Sequence, residues 1–466
     1  MKNFHLSIFI PALTPFIWII LFLFLLNFTW FYSILKINPS GFFSFDSYQY
    51  INLAGNILHH ASFSQSEQPP LIQDPYRTPL YPLFLAVIYP AGSEIAVVIL
   101  QILLSAGTVL LVCRITLLFI ENKIAATLAG IFYALDIPTL VFNNQIMTET
   151  LFTFLLMLSV YFFLKFINDD SGAKSKTLFL SGFFLGLSIL CRPIAIFLPL
   201  ILILVLAGTI FRKKVNAPVR NFVYPVVAFT GPLLLTVLLW YIRNYLVFGN
   251  LFFSLIGPVN MCNFHGAAVY ARVNNMEFYA AREKFWKELE EDAPVRISED
   301  VTVYTKYIAG KSLKLMAGHP VTAIRNQVTG MLHLLFKPLR GDIDRQLGFV
   351  KGFTTITPLE SDSGADIFSA LPSKSGKITQ LLVFYQFFWM IIVYCGTLLS
   401  MVVLFRRKNY LVLALVFGII VYFTLVTTPP LTYARFRVPL IPLLAILGAI
   451  GLTSLFKPRI FASQVK

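Results

Sequence analysis

The chain has 466 residues, of which 57% are hydrophobic and 13% charged, about half the charged share of ordinary soluble domains. With aromatics at 15% and a mean hydropathy of +0.75, its apolar residues fall into runs too long for buried core helices and suited to bilayer crossings. A soluble globular protein is excluded, and an all-α polytopic membrane protein is predicted. The excess of 37 Lys+Arg over 22 Asp+Glu, a net +15, sits largely at the ends of apolar runs. It therefore reads as positive-inside bias rather than as a nucleic-acid surface. Cys113, Cys191, Cys262 and Cys395 are widely spaced without a CxxC pair, which points to neither a disulfide framework nor a zinc site.

The uncharged stretch Leu6 to Leu35 is longer than a signal-peptide core and lacks a small-residue cleavage site, so it is expected to be a retained first helix. The segment Lys36 to Thr78 follows on the outer side. Pro79 to Pro90 is apolar but too short to span, which predicts an interfacial or re-entrant helix. Further crossings are expected over Ile95–Ile120, Ile124–Phe142, Thr148–Ile167, Phe222–Phe248, Gln380–Phe405, Tyr410–Val426 and Pro439–Phe456. The run Leu178–Phe211 is too long for one crossing, is interrupted by Arg192-Pro193 and has basic residues on both flanks. It is read as two short helices turning at Arg192. The sum is about ten spans with both termini inside, and Lys2, Lys123, Lys174, Lys176, Arg212–Lys214, Arg220, Arg406–Lys408, Lys457 and Arg459 then fall on the cytoplasmic face.

This gives an N-terminal transmembrane module over 1–248 with a catalytic first outer loop at 36–78, an extracytoplasmic loop over 249–378, and a C-terminal transmembrane module over 379–466. In the large loop, Phe278, Phe285 and Leu289 recur at helical spacing, as do Tyr304, Ile308 and Leu315, and Val321, Ile324, Val328 and Leu332. Three amphipathic helices, the last beginning after His319-Pro320, are expected to lie on the membrane as a cap. The stretch Gly341 to Lys377 is rich in Gly, Ser and Thr and reads as mobile. No internal repeat is visible.

Asp46 opens the first outer loop, with Tyr50 one helical turn on. A carboxylate there can take a proton from an acceptor hydroxyl, and half-burial would raise its basicity. A plain helix N-cap explains the position equally well. Glu149, where a span re-enters from the outer side, has the same duality, although ionisable groups at membrane depth favour a functional reading. Asp136 is a weaker candidate on that face. Arg77, Arg192, Arg243 and the pair Arg435 and Arg437 also come out on the outer face, against the positive-inside trend. Their planar forks suit phosphate oxygens, and snorkelling to outer headgroups is the plain alternative. Asp342-Ile343-Asp344 has a metal-holding spacing but lacks a βαβ context, so a solvated turn is expected. His59-His60 are adjacent and do not share a helix face as ligands. No P-loop or nucleophile elbow occurs.

Taken in order, Asp46-Ser47 with Tyr50 and Ala54, Arg77-Thr78-Pro79-Leu80-Tyr81-Pro82, Thr148-Glu149, Gly186-Leu187 with Cys191-Arg192-Pro193, Trp240-Tyr241-Ile242-Arg243-Asn244 with Phe248-Gly249, and Arg435-Phe436-Arg437-Val438-Pro439 resemble the polytopic GT-C glycosyltransferases. The likeness is to the branch of protein O-mannosyltransferases and the lipid A aminoarabinose transferase. The resemblance implies an inverting transferase of the plasma (inner) membrane with its site on the extracytoplasmic face, using a polyprenyl-phosphate-linked sugar donor. The acceptor would be a hydroxyl-bearing lipid, glycolipid or protein. Asp46 would match the first-loop catalytic aspartate, Glu149 the second acidic site and Arg77 a contact to the lipid phosphate. Tyr50, Arg192, Arg243, Arg435 and Arg437 would complete the substrate-binding set. Ser47 stands where the family often has Glu, and the Trp-Trp-Asp signature of oligosaccharyltransferases is absent.

Apart from any family, displacing a polyprenyl phosphate builds negative charge on phosphate oxygen, which fixed arginines in a water-poor site stabilise. No cofactor is required for that chemistry; a divalent metal is possible but not implied. The rival readings are a lipid or sugar flippase and a surface-polysaccharide ligase or polymerase. Ionisable residues gathered at one face beside large loops favour transfer over transport.

Overall fold

The computed structural model describes residues 16–89, 93–168, 174–213, 220–350, 376–427 and 432–456. The expectations for Lys2, for Lys457 and Arg459, and for most of the loop after Val350 lie outside these residues. Among the described residues seven helices are long and apolar enough to cross a membrane. They include α1 (Ile17–Ile37), α4 (Ser93–Phe119), α7 (Glu149–Asn168), α10 (Arg220–Phe248), α17 (Lys377–Arg406) and α19 (Ile441–Phe456).

The seventh, α9 (Leu198–Lys213), is joined to α8 (Lys174–Cys191) by a short 3-10 turn at Pro193–Ala195, so the turn at Arg192 is present. The apolar stretch of α8 and α18 (Tyr410–Val426) are shorter apolar helices. The predicted run Ile124–Phe142 is not one straight helix. It is a bent pair, α5 (Lys123–Ala134) and α6 (Ile137–Asn143), meeting at 60°. Asp136 causes the break, because its carboxylate N-caps α6 by accepting from the backbone N–H and Oγ1 of Thr139 at 2.8 and 2.7 Å, and Pro138 follows in the first turn. With the bent pair counted as one, eight helical segments among the described residues are long and apolar enough to cross, and the two shorter apolar helices bring the sum to the ten or so expected.

α19 is the hub. Nearly all its residues are buried, and it packs against α17, α5 and α4. Lipid is as apolar as leucine, so contact between helices rests on close approach of small residues. A Cβ added to Gly451 would lie 1.8 Å from the carbonyl oxygen of Gly396, and one added to Gly396 would lie 2.3 Å from that of Gly448. Gly451→Leu is therefore expected to separate α17 from α19, losing about 1–3 kcal/mol as overpacked cores do. A large drop in the melting temperature of the detergent-purified protein checks it, and an unchanged melting curve would contradict this packing.

Between the apolar helices lie α2 (Phe45–His60), α3 (Leu80–Ile88) and a cap. The cap comprises α11 (Ile256–Asn260), a π-turn at Met261–Gly266, α12 (Ala267–Val273), α13 (Phe278–Glu291), α14 (Val301–Gly318) and α15 (Pro320–Phe336). The three predicted amphipathic helices are α13, α14 and α15. Phe285, Leu289, Tyr304 and Ile308 meet Cys262 and Ala267 in a core of their own. The start of the stretch read as mobile instead forms α16 (Gly341–Gln346). Asp342 and Asp344 are accordingly not in a solvated turn. Asp344 is buried and faces Arg340, while Asp342 pairs with Arg345 at 2.6 Å. Ile343 and Leu347 pull the segment into an apolar cluster with Ile137 and Val141.

Candidate active site

Three turns at the helix ends are stitched together by contacts to backbone carbonyls, and these place the charged side chains. Ser47 Oγ donates to the carbonyl of Ile146 at 2.8 Å, and the N–H of Ile146 donates to the carbonyl of Phe42 at 2.9 Å. The start of α2 is thereby held against the start of α7. Thr78 Oγ1 donates to the carbonyl of Cys191 at 3.0 Å, joining the Arg77 turn to the Arg192 turn.

The N-cap of α2 is Ser44, whose N–H donates to Ser47 Oγ at 2.8 Å. Asp46 is therefore not the cap, and both its oxygens face guanidinium groups. Arg77 Nη2 lies 2.7 Å from Oδ1 and Arg435 Nη1 lies 2.8 Å from Oδ2. Arg435 Nε continues to Glu149 Oε1 at 2.5 Å, and Arg192 Nη1 reaches the same oxygen at 2.7 Å. The result is a ladder of alternating sign, Arg77, Asp46, Arg435, Glu149, Arg192, drawn from segments almost 400 residues apart. Glu149 is fully buried, while the Asp46 side chain keeps 24% of its surface exposed. Three cations against two anions leave a net positive charge, in a setting where charges must be paired to be tolerated. Arg192 stacks near Phe152 and Phe436, at 5.7 and 5.9 Å from the ring centroids.

Tyr50 accepts from Arg77 Nη1 at 3.2 Å through its hydroxyl, and its ring lies 5.0 Å beneath the same guanidinium. Burial pushes the Tyr50 phenol above its ordinary value, so it stays a neutral hydroxyl. Gln49 was not anticipated, yet its Oε1 accepts from Arg77 Nε at 3.0 Å. Asp46, Gln49 and Tyr50 stand at i, i+3 and i+4 on one face of α2, a spacing that would have revealed it.

Two predicted residues lie elsewhere. Arg243 donates to the Gln73 side chain at 2.7 Å and the Asp74 carbonyl at 3.2 Å, and sits among Phe63, Trp240 and Phe248. It touches neither acid of the ladder. Its effect is indirect, since Asp74 Oδ1 accepts from the N–H groups of Tyr76 and Arg77 at 2.8 and 2.6 Å and so shapes the turn that presents Arg77. Arg437 is buried and donates to the carbonyls of Leu334 and Leu335, both at 2.9 Å. Its Nη1 is committed to the end of α15, and it makes no ion pair with Asp46 or Glu149. Asp136 is occupied as the α6 cap.

Burial would raise the affinity of Asp46 for a proton, but the Arg435 and Arg77 guanidiniums outweigh it and hold the carboxyl well below the usual carboxylate range. The expected rise in basicity is therefore reversed by the two guanidiniums. The sign for stability follows. With the folded value depressed, the contribution of Asp46 is complete above its ordinary value of 3.8 and is lost as pH falls through the folded value. The stability margin of the native chain over Asp46→Asn is expected to hold constant from pH 7 to pH 5 and to shrink only in stronger acid. Thermal unfolding of both proteins across that range checks it.

No group of three or more His, Cys, Asp and Glu positioned to hold a metal occurs among the described residues. A cavity of about 420 Å³ lies beside the ladder, bounded by Gln49 and Arg77 on one side and by cap residues on the other.

Residues 76–240 match the family model of dolichyl-phosphate-mannose-protein mannosyltransferases, a stretch that includes Arg77, Glu149 and Arg192 but neither Asp46 nor Arg435. No curated protein matches the chain significantly. Among solved structures, the oligosaccharyltransferase AglB of Archaeoglobus fulgidus in complex with an inhibitory peptide and a dolichol-phosphate is similar at a TM-score of 0.50 and 14% identity, over 94% of this chain and 50% of that one. The apo form of the same enzyme gives 0.48 and 16%, over 94% and 51%. ArnT of Cupriavidus metallidurans bound to undecaprenyl phosphate gives 0.40 and 13%, over 94% and 79%. The chain thus spans about half the length of the archaeal enzyme.

Proposed function

We propose, from the fold and from the family match over residues 76–240, that the chain is an inverting glycosyltransferase of the GT-C superfamily. In this reading a sugar moves from a polyprenyl-phosphate donor to an acceptor hydroxyl on the extracytoplasmic face of the plasma membrane. The observation that carries it is the ladder, in which three guanidiniums and two carboxylates from separate segments converge at helix ends.

The chemistry is a single displacement. The acceptor oxygen bonds to the anomeric carbon as the bond from that carbon to the phosphate oxygen breaks, and Asp46 takes the hydroxyl proton. Arg77, Arg192 and Arg435 stabilise the charge that grows on the departing phosphate, in a site where little water competes. Both Asp46 oxygens are engaged by arginines before the donor arrives. A phosphate that draws Arg77 and Arg435 to itself loosens those contacts, and the basicity of Asp46 then rises toward what the step needs. Glu149, sealed beneath with Arg192 and Arg435, holds the two arginines in place.

The test is sugar transfer by purified protein in vesicles, from a polyprenyl-phosphate-linked sugar to a hydroxyl acceptor. Arg77→Ala is expected to raise the donor KM by about 10- to 100-fold, the loss of one charge-assisted hydrogen bond, with little change in acceptor preference. An unchanged donor KM would remove the phosphate role. Movement of intact labelled lipid between leaflets, with no change in its covalent structure, would instead establish a flippase.

A further inference from the structure

The cavity beside the ladder has a composition of its own. At about 420 Å³ it is within the range of roughly 300–1,000 Å³ usual for small-molecule sites. Arg77 is the single charged residue lining it, and that guanidinium is already committed to Asp46, Gln49 and Tyr50. The other walls combine the side chains of Gln49 and Gln65 from the outer loop and Asn263 from the cap with the rings of Trp286 and Tyr304 and four aliphatic side chains, Ile297 among them. The Trp286 indole N–H donates to Asn263 Oδ1 at 2.8 Å, which fixes the ring and the amide relative to each other.

This lining discriminates among occupants. A headgroup with several phosphates would find one cation, already shared. A hydrocarbon chain would cover whatever hydrogen-bonding capacity these amides keep beyond their bonds to Arg77, Asp74 and Trp286, and each group left unpaired costs about 1–3 kcal/mol. A neutral polyol with an apolar C–H face satisfies both halves, its hydroxyls meeting the amides and its ring face lying on the indole. We propose that the cavity is a subsite for one neutral glycosyl unit, with Trp286 as its platform and Asn263 and Gln65 as hydroxyl partners. The proposal rests on the transferase reading and narrows it to an uncharged sugar held between the outer loop and the cap. The donor sugar and a sugar of a glycosylated acceptor present the same chemistry, and the experiment separates them.

The full-length protein in detergent is titrated with methyl α-mannoside, methyl β-glucoside and methyl β-glucuronide. The signal is the difference in tryptophan fluorescence between the native protein and Trp286→Phe. Saturable quenching by a neutral glycoside, lost in Trp286→Phe, is expected; no Trp286-dependent signal, or tighter binding of the glucuronide, overturns the proposal.

Turnover supplies the second arm. Trp286→Ala, and Ile297→Trp, which fills the cavity from the cap side, are expected to raise one KM by about tenfold, or about 1.4 kcal/mol, with kcat little changed. A rise in donor KM with unchanged affinity for sugar-free polyprenyl phosphate assigns the subsite to the donor sugar. A rise in acceptor KM assigns it to the acceptor. If neither KM moves in Ile297→Trp while native activity is intact, the subsite is overturned and the transferase stands. If the native protein transfers nothing yet neutral glycosides still quench Trp286, the transferase reading falls and the sugar site remains.

Discussion

Asp46→Asn is expected to reduce the rate of transfer by about 10²–10⁴-fold, the range for loss of a general base, without raising the donor KM. The two effects separate because Asp46 does two things. It stands ready to take a proton, and it competes with phosphate for Arg77 and Arg435. Asn keeps the shape and relinquishes both, so chemistry slows while the arginines become freer to hold the donor. The experiment is a donor titration of native and variant proteins at matched membrane expression. A variant that turns over normally would end the proton-acceptor role. One whose donor KM rises tenfold or more would show that the aspartate organises the arginines rather than restraining them.

The second large effect concerns Glu149. Its carboxylate is fully buried with Arg192 at 2.7 Å and Arg435 at 2.5 Å. Glu149→Gln removes the negative charge and leaves two guanidiniums facing each other across a neutral amide, without their common counter-charge. Breaking one side of a buried ion pair costs about 3–5 kcal/mol, so the variant is expected to unfold at a much lower temperature. The loss should be smaller when an anion replaces the missing charge. Adding polyprenyl phosphate should therefore raise the melting temperature of Glu149→Gln more than that of the native protein, by linkage. Equal shifts in the two proteins would mean that the lipid phosphate does not reach these arginines.

Much of the fold was legible because membrane helices advertise themselves through length and apolarity. The turn at Arg192 could be found since a run of 34 residues from Leu178 to Phe211 exceeds what about 30 Å of hydrocarbon admits. The break between α5 and α6 was missed although its signal is present: Asp136 followed by Ile137-Pro138 is a capping residue with proline in the first turn. Inside a strongly apolar stretch, hydropathy masked it. The arginines divide for a different reason. Arg77, Arg192 and Arg435 meet carboxylates, whereas Arg243 and Arg437 meet carbonyls. All five share the same local character of an arginine at an outer helix end, and only long-range packing decides which acceptor each one meets. The buried Asp342–Asp344 segment illustrates the same limit, because its polar sequence gives no hint of the apolar cluster that Ile343 joins.

Arg437 has a consequence for how the molecule can be taken apart. Its side chain stands at the head of the central helix and grips the carboxyl-terminal turn of the last cap helix. Excising the cap would take from this buried permanent cation the backbone carbonyls to which its Nη1 donates. The two parts are thus moored to each other rather than hinged, and amide exchange should report the mooring as a shared opening, the tip of α15 losing protection together with the start of α19.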